Sequence, residues 1–190
     1  MPSPDEGKTT VTAIIEEFAA FCEAHGAASE EDTRAKVIDR VLKELCGWPE
    51  EAISREDRVV HDTAADTQNR FTDYRLSLSG KPTIVVEAKR EGISFTFPVG
   101  LRKTYSLDGA LLSDANIKEA IYQVRGYCDD EGIRYAITTN GYAWIVFRAV
   151  RDDVPWRKGS ARVFPSLEYV RDNFTDFFNL LSYEAVTAGS

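Results

Sequence analysis

Apolar residues recur at helical spacing near the start of the chain: Val11, Ile14, Ile15, Phe18 and Cys22. That period predicts an amphipathic helix over 11–25, closed by Gly26-Ala27-Ala28, with the polar residues 1–9 before it disordered. Ser29 with Asp32 three residues on predicts a new N-cap, and Gly47-Trp48-Pro49 a C-terminal stop after about Cys46. The helix between them carries Ala35, Ile38, Leu42 and Leu45 as its apolar stripe. Extended back one turn, the stripe reaches Glu31, with Glu30 beside it. An acid in that first turn serves either the helix dipole or a chemical function.

The period changes to two at Phe71. Residues 71–78 alternate apolar and polar, Ser79-Gly80-Lys81-Pro82 is turn chemistry, and Thr83-Ile84-Val85-Val86 is apolar. This predicts a β-hairpin over 71–90, and a three-residue loop at 79–81 would set Asp73 opposite Glu87. Before the hairpin, 53–66 is polar, with one short strand expected at Arg58-Val59-Val60. After it, 91–113 holds Phe95, Phe97, Pro98, Leu101, Tyr105 and Leu107 without a clean period. That reads as a long loop, or a partly ordered insertion across one sheet edge, made more basic by Arg102 and Lys103.

A helix starting at Asp114 or Asn116 would turn Ala120, Ile121, Val124 and Cys128 inward and put Gln123 and Tyr127 on one shared face. A second hairpin over 133–147 is predicted to turn in two residues at Asn140-Gly141. A polar loop over 148–162 carries Arg151, Arg157 and Lys158, and a final helix over 167–181 carries Tyr169, Val170, Phe174, Phe177 and Phe178. The order helix, helix, strands, helix, strands predicts an α/β fold, a mixed sheet flanked by helices.

The chain has 190 residues, 43% of them hydrophobic, enough for one domain over 10–181. Residues 182–190 show no stop signal and read as a linker to further domains. The net charge of −8 argues against broad electrostatic adhesion to nucleic acid, so a polyanionic substrate would need local bases, metal ions or another domain. Cys22, Cys46 and Cys128 are scattered in helix-like stretches and read as free thiols in a reducing cytoplasm. His25 and His61 fit no pattern. No signal peptide or membrane-length apolar run is seen, so a cytoplasmic location is expected. Gly7-Lys8-Thr9 lacks the upstream glycine and strand of a phosphate loop, so ATP hydrolysis by that route is not expected.

Candidate chemistry lies where the apolar strand ends in Glu87-Ala88-Lys89. Glu87 and Lys89 share a face, while Ile84, Val86 and Ala88 take the other. Two opposed carboxylates repel. A divalent cation between them removes that penalty, and oxygen donors suit Mg²⁺ or Mn²⁺. The plainer alternative is an edge hairpin whose charges are simply solvated.

Asp73, Glu87-Ala88-Lys89 and Gln123-Val124-Arg125-Gly126-Tyr127 together resemble the PD-(D/E)xK nuclease superfamily, and more closely the N-terminal nuclease domain of type I restriction enzyme motor subunits. Thr33-Arg34, Leu45-Cys46-Gly47-Trp48 and Thr139-Asn140-Gly141 resemble that family's flanking pattern, over about 30–147. Thr72 departs from the proline in the family name, and the aromatic insertion at 91–113 is not easily placed in it. The resemblance implies a restriction-endonuclease-like sheet and an endonuclease of a prokaryotic restriction or anti-phage defence system, acting on DNA, or on RNA such as tRNA. A catalytically silent binding or assembly module is the rival of a different class. It further implies Mg²⁺, replaceable by Mn²⁺, held by Asp73, Glu87 and the Ala88 carbonyl, with Glu31 as an outer ligand through water and Glu30 able to take its place. Lys89 would orient or help deprotonate the attacking water and offset charge on the scissile phosphate. Gln123 and Tyr127 would contact the sugar-phosphate backbone or support the lysine, and Arg90 would meet the substrate. A motor or sensor domain driven by nucleotide is the expected partner, with homo-oligomers also expected.

Overall fold

The computed structural model describes residues 3–62 and 67–189; the side chain of His61 lies outside the described residues. Seven strands form one sheet in the order β1-β2-β3-β5-β6-β7-β4: β1 (Ile53–Asp62), β2 (Thr67–Leu78), β3 (Lys81–Ala88), β4 (Thr104–Ser106), β5 (Tyr135–Thr139), β6 (Trp144–Arg148) and β7 (Ser160–Phe164). The β3–β5 pair is parallel and every other pair antiparallel. A parallel neighbour requires a crossover. Here α3 (Ala115–Glu131) lies in the segment between the two strands.

Side chains alternate across the sheet, and each face has its own core. Tyr74, Leu76, Val86, Ile137 and Trp144 pack against α1 (Pro4–His25), α2 (opening at Glu30–Thr33), α4 (Leu167–Asp172) and α5 (Phe174–Leu181). Helix α2 starts as Glu30–Thr33 and continues through π-helical turns at Arg34–Ile38 and Val41–Leu45. Val85, Ala136, Ile145 and Phe147 pack against Ile117, Ile121 and Val124 of α3 on the opposite face. The mixed α/β sheet flanked by helices is therefore observed. No helix of the described residues is long and apolar enough to cross a membrane.

Several expected elements are corrected. Helix α1 begins at Pro4, so residues 4–9 are helical. The Ser3 hydroxyl accepts the Glu6 N–H, and the Glu6 carboxylate accepts the Ser3 N–H at 2.7 Å, a capping box with proline in the first turn. The polar run after Ile53 is mostly strand β1, which tolerates polar side chains because it forms the sheet edge. The end of the supposed 148–162 loop enters β7, paired between β6 and β4. The last helix breaks at Asn173, where the backbone leaves helical geometry and both the main-chain N–H and the amide of Asn173 bond to Tyr169 O. The terminal stretch folds as α6 (Tyr183–Gly189), tied back by Tyr183 N–H to Cys46 O and by the Trp48 indole to Leu181 O, 2.8 Å.

Both hairpin turns also differ from expectation. The β2–β3 turn is two residues, Ser79 (φ 48°) and Gly80 (φ 75°), both left-handed as a type I′ turn requires. A bulge between Leu76 and Ser77 then shifts the register, giving Leu76↔Ile84 and Tyr74↔Val86. The bulge thus supplies the register a three-residue loop would have given. The β5–β6 loop spans 140–143, because Asn140 Oδ1 accepts the N–H groups of both Tyr142 and Ala143. Gly141 has φ 87°, and a Cβ there would stand 2.8 Å from Thr33 Cγ2, so this loop packs directly on α2. The 91–113 segment is a partly ordered insertion. Its Tyr105, Leu107 and Leu111 are buried on the α3 face, and β4 closes the far edge of the sheet. Cys22, Cys46 and Cys128 are free thiols.

Candidate active site

The hairpin register continued one step beyond Tyr74↔Val86 brings Asp73 to Glu87, both on the α3 face. Glu87 stands near the end of β3, flanked by β2 and β5, and only 2% of it is exposed. Its Oε1 accepts from Lys89 Nζ at 2.7 Å. The same ammonium donates to Gln123 Oε1 at 2.9 Å, and Gln123 Nε2 donates to the Tyr127 hydroxyl at 3.2 Å. The shared helical face of Gln123 and Tyr127 thus reaches across to the strand end and fixes Lys89 in place. Asp73 Oδ2 accepts the main-chain N–H of Ala88 at 2.7 Å, locking its carboxylate to the Glu87-Ala88-Lys89 backbone.

Of the two acids opening α2, Glu30 is the one whose charge bears on Asp73 and Lys89. The buried residues of α2 are Thr33, Val37, Ile38, Val41, Leu42 and Leu45, whereas Ala35 is not among them. Both Glu30 and Glu31 are exposed, but projected back along the helix from Thr33 and Val37 the buried stripe points to the side of Glu30. Glu30 feels the charges of Asp73, Lys89 and Arg34. Glu31 faces a shallow groove with Arg34, Asp39, Arg55, Glu56 and Tyr74. Ile38, Leu42 and Leu45 are buried as expected, but Ala35 is exposed. The π-helical turn over Arg34–Ile38 shifts the phase of the first turn, which favours Glu30 over Glu31 as the acid turned toward Asp73. Arg90 is exposed, one residue past Lys89, with its carbonyl bound in a turn to Ile93 N–H.

The electrostatics show surplus negative charge. Burial, and then the facing Asp73, push the Glu87 carboxyl up to about 8 against the pull of Lys89. Burial raises Asp73 too, outweighing the Ala88 N–H, Arg34 and Lys89. Burial and Asp73 raise Glu30. Burial alone would lower Lys89, but Glu87, Asp73 and Glu30 overcome it and hold the amine above its ordinary value. Three acids biased toward their neutral forms despite two nearby cations, Lys89 and Arg34, make a site that gains from added positive charge.

Glu87 Oε2 is buried and receives no donor among the described residues, while the Glu87 carboxyl stands within hydrogen-bonding reach of Asp73. An unsatisfied buried acceptor is costly. Oε2, the raised acids and an all-oxygen donor set fit a hard divalent cation. Among the described residues, no three His, Cys, Asp or Glu side chains stand together as a ready-made metal shell. Two carboxylates with a main-chain carbonyl and water match Mg²⁺, which retains several waters.

Residues unused by the chemical argument prove structural. The Thr33 hydroxyl donates to Ser29 O and accepts from Glu91 N–H, while the Asn140 amide donates to Ile93 O. These two clips fix the chain leaving Lys89 between α2 and the β5–β6 loop. Thr72 donates its hydroxyl to Asp57 O, bracing the strand before Asp73. Sequence reasoning missed Arg34 as a neighbour of Asp73, with Nη1 3.8 Å from Oδ1. Its position four residues after Glu30, on the same helix face, was the available signal.

No family model matches the chain, and no curated protein matches it. Among solved structures, a fragment assigned to an HsdR subunit of a type I restriction enzyme from Vibrio vulnificus YJ016 is similar at 23% identity and a TM-score of 0.45. The match covers 79% of this chain and 26% of that one.

Proposed function

We propose that this chain is a Mg²⁺-dependent endonuclease domain that hydrolyses DNA phosphodiester bonds. The observation that carries the reading is buried Glu87, with one oxygen held by Lys89, the other without a donor among the described residues, and Asp73 beside it. Asp73, Glu87 and the Ala88 carbonyl would hold the cation, with Glu30 acting through water. A divalent cation there supplies charge to a scissile phosphate and acidity to water. Lys89, held as an ammonium, would orient the attacking water and offset charge on the phosphate. As the new P–O bond forms and the P–O bond to the leaving oxygen breaks, the water's proton would pass to solvent and the leaving oxygen would take one up from solvent. Gln123 holds the Lys89 ammonium at that position, and Tyr127 holds Gln123. Mn²⁺ would substitute for Mg²⁺.

The net charge of −8 supports a division of labour in which this domain cuts and another domain binds. A nucleotide-driven motor or sensor of a restriction or anti-phage system fits that need. The test is cleavage of supercoiled DNA, linear DNA and RNA with Mg²⁺, Mn²⁺ or EDTA. Cutting of both DNA forms that stops in EDTA is expected. Metal-dependent cutting of RNA alone would move the substrate to RNA, and cutting unaffected by EDTA would end the metal reading.

A further inference from the structure

Residue Glu56 sits inside strand β1 with φ 56°, a left-handed conformation unusual for a side chain other than glycine. Its neighbours pair regularly with β2, Arg55↔Tyr74 and Asp57↔Thr72, so Glu56 occupies the register position opposite Asp73. Strain of this kind persists where the surroundings enforce it, and it concentrates at functional sites. The Glu56 carboxylate accepts from Arg34 Nη1 at 3.2 Å. The same guanidinium reaches Asp73 twice, with Nη1 at 3.8 Å from Oδ1 and Nη2 at 3.5 Å from the main-chain oxygen. Its central carbon lies 5.2 Å from the centre of the Tyr74 ring, which is fully buried. Arg34 is therefore braced by a ring, anchored by an acid on β1, and pressed against Asp73 of the site.

We infer that Arg34 is a positioning residue that serves as a built-in counter-cation for Asp73, drawn partly aside by Glu56, and that a divalent cation entering the site competes with it. This rests on the nuclease reading for the identity of the competing cation. The arrangement explains why an acid is kept on a strained residue of an edge strand. Without Glu56 the guanidinium would settle wholly on Asp73, and with it the charge of Asp73 is compensated but still available. Tyr74 limits where the guanidinium can go, so release means a shift toward Glu56 and not a departure from the site.

The test uses Mn²⁺ titration by calorimetry on the wild type, Arg34→Gln, Arg34→Lys, Glu56→Gln and the Arg34→Gln/Glu56→Gln double variant. Arg34→Gln is expected to tighten Mn²⁺ binding about two- to fivefold, the scale of one partly exposed ion pair. Arg34→Lys should return toward the wild-type value. Glu56→Gln should weaken binding roughly two- to fivefold in the wild type and much less in the Arg34→Gln background, as residues acting through one another do. Weaker or unchanged binding in Arg34→Gln, or an equal effect of Glu56→Gln in both backgrounds, would overturn the inference. Metal-free melts of Arg34→Gln, Asp73→Asn and their double variant keep the two readings apart. If the wild type binds no Mn²⁺, the nuclease reading and the competition both fail. Non-additive melts would then still establish the Arg34–Asp73 contact, and additive ones would remove that as well.

Discussion

Hairpin β2–β3 carries Asp73, Glu87 and Lys89 at its open end, whereas β5–β6, joined to it through the parallel β3–β5 pair, is buried through Ala136–Thr139 and Trp144–Phe147. The second hairpin satisfies most of its loop polar groups internally, although the Asn140 amide reaches out to Ile93 O and the buried Thr138 hydroxyl has no partner among the described residues. The Asn140 carboxamide oxygen accepts two main-chain N–H groups of its own loop, and Thr139 Oγ1 accepts Gly141 N–H. The first hairpin ends in acids biased toward protonation and in a carboxylate oxygen without a donor among the described residues. Neighbouring strands of one sheet thus put opposite demands on stability. One hairpin is built for packing, and the other tolerates electrostatic cost at a place where chemistry can use it.

Substitutions should separate the two hairpins. Glu87→Ala or Lys89→Ala should lower cleavage about 10³-fold, the scale of a lost electrostatic or acid–base group, in protein that still folds. Trp144→Ala should instead cost about 3–5 kcal/mol of stability by chemical denaturation, because that ring is fully buried against Phe177. Next come the supporting residues. Gln123→Ala, which frees Lys89 on one side, and Glu30→Gln should each slow cleavage about tenfold, whereas Glu31→Gln should leave the rate unchanged. An effect confined to Glu31 would reverse the assignment of the helix acid. Gly141→Ala should cost about 1–3 kcal/mol through its left-handed backbone and its crowding against Thr33.

The last effect is a slope with pH. Glu87 binds its proton more tightly in the folded chain, about 8 against an ordinary 4.5. Metal-free stability from this group is therefore complete below about pH 4.5 and is lost as pH rises toward about 8. Asp73 and Glu30 shift in the same direction and add to the trend. Thermal melts across that range should show the decline, and Glu87→Gln should flatten it. A melting temperature that climbs with pH over this window would contradict the electrostatics of the site.

The parts legible in the sequence were those that local pattern controls. The switch to period two at Phe71 and the acid-x-lysine ending located the hairpin. Of the two candidate starts for α3, Asp114 is the cap, its carboxylate accepting Ile117 N–H. The four-residue spacing of Gln123 and Tyr127 anticipated their contact. Strand β1 was mostly illegible because an edge strand needs little apolar content. The choice between Glu30 and Glu31 turned on helix phase, and Ala35, outside the buried stripe, resembled a core residue by composition alone. Arg34 was hidden because its partners, Glu56 and Asp73, lie on two strands far along the chain.

The most direct test of the central claim is nicking of supercoiled plasmid in Mg²⁺ by the wild type and by Glu87→Gln, a change that keeps the side chain's shape and removes its charge. The prediction is nicking by the wild type that EDTA abolishes, and none by a Glu87→Gln protein that melts at least as high as the wild type. Equal nicking by both proteins would contradict the account, because the buried carboxylate at the end of β3 would then have no part in the chemistry.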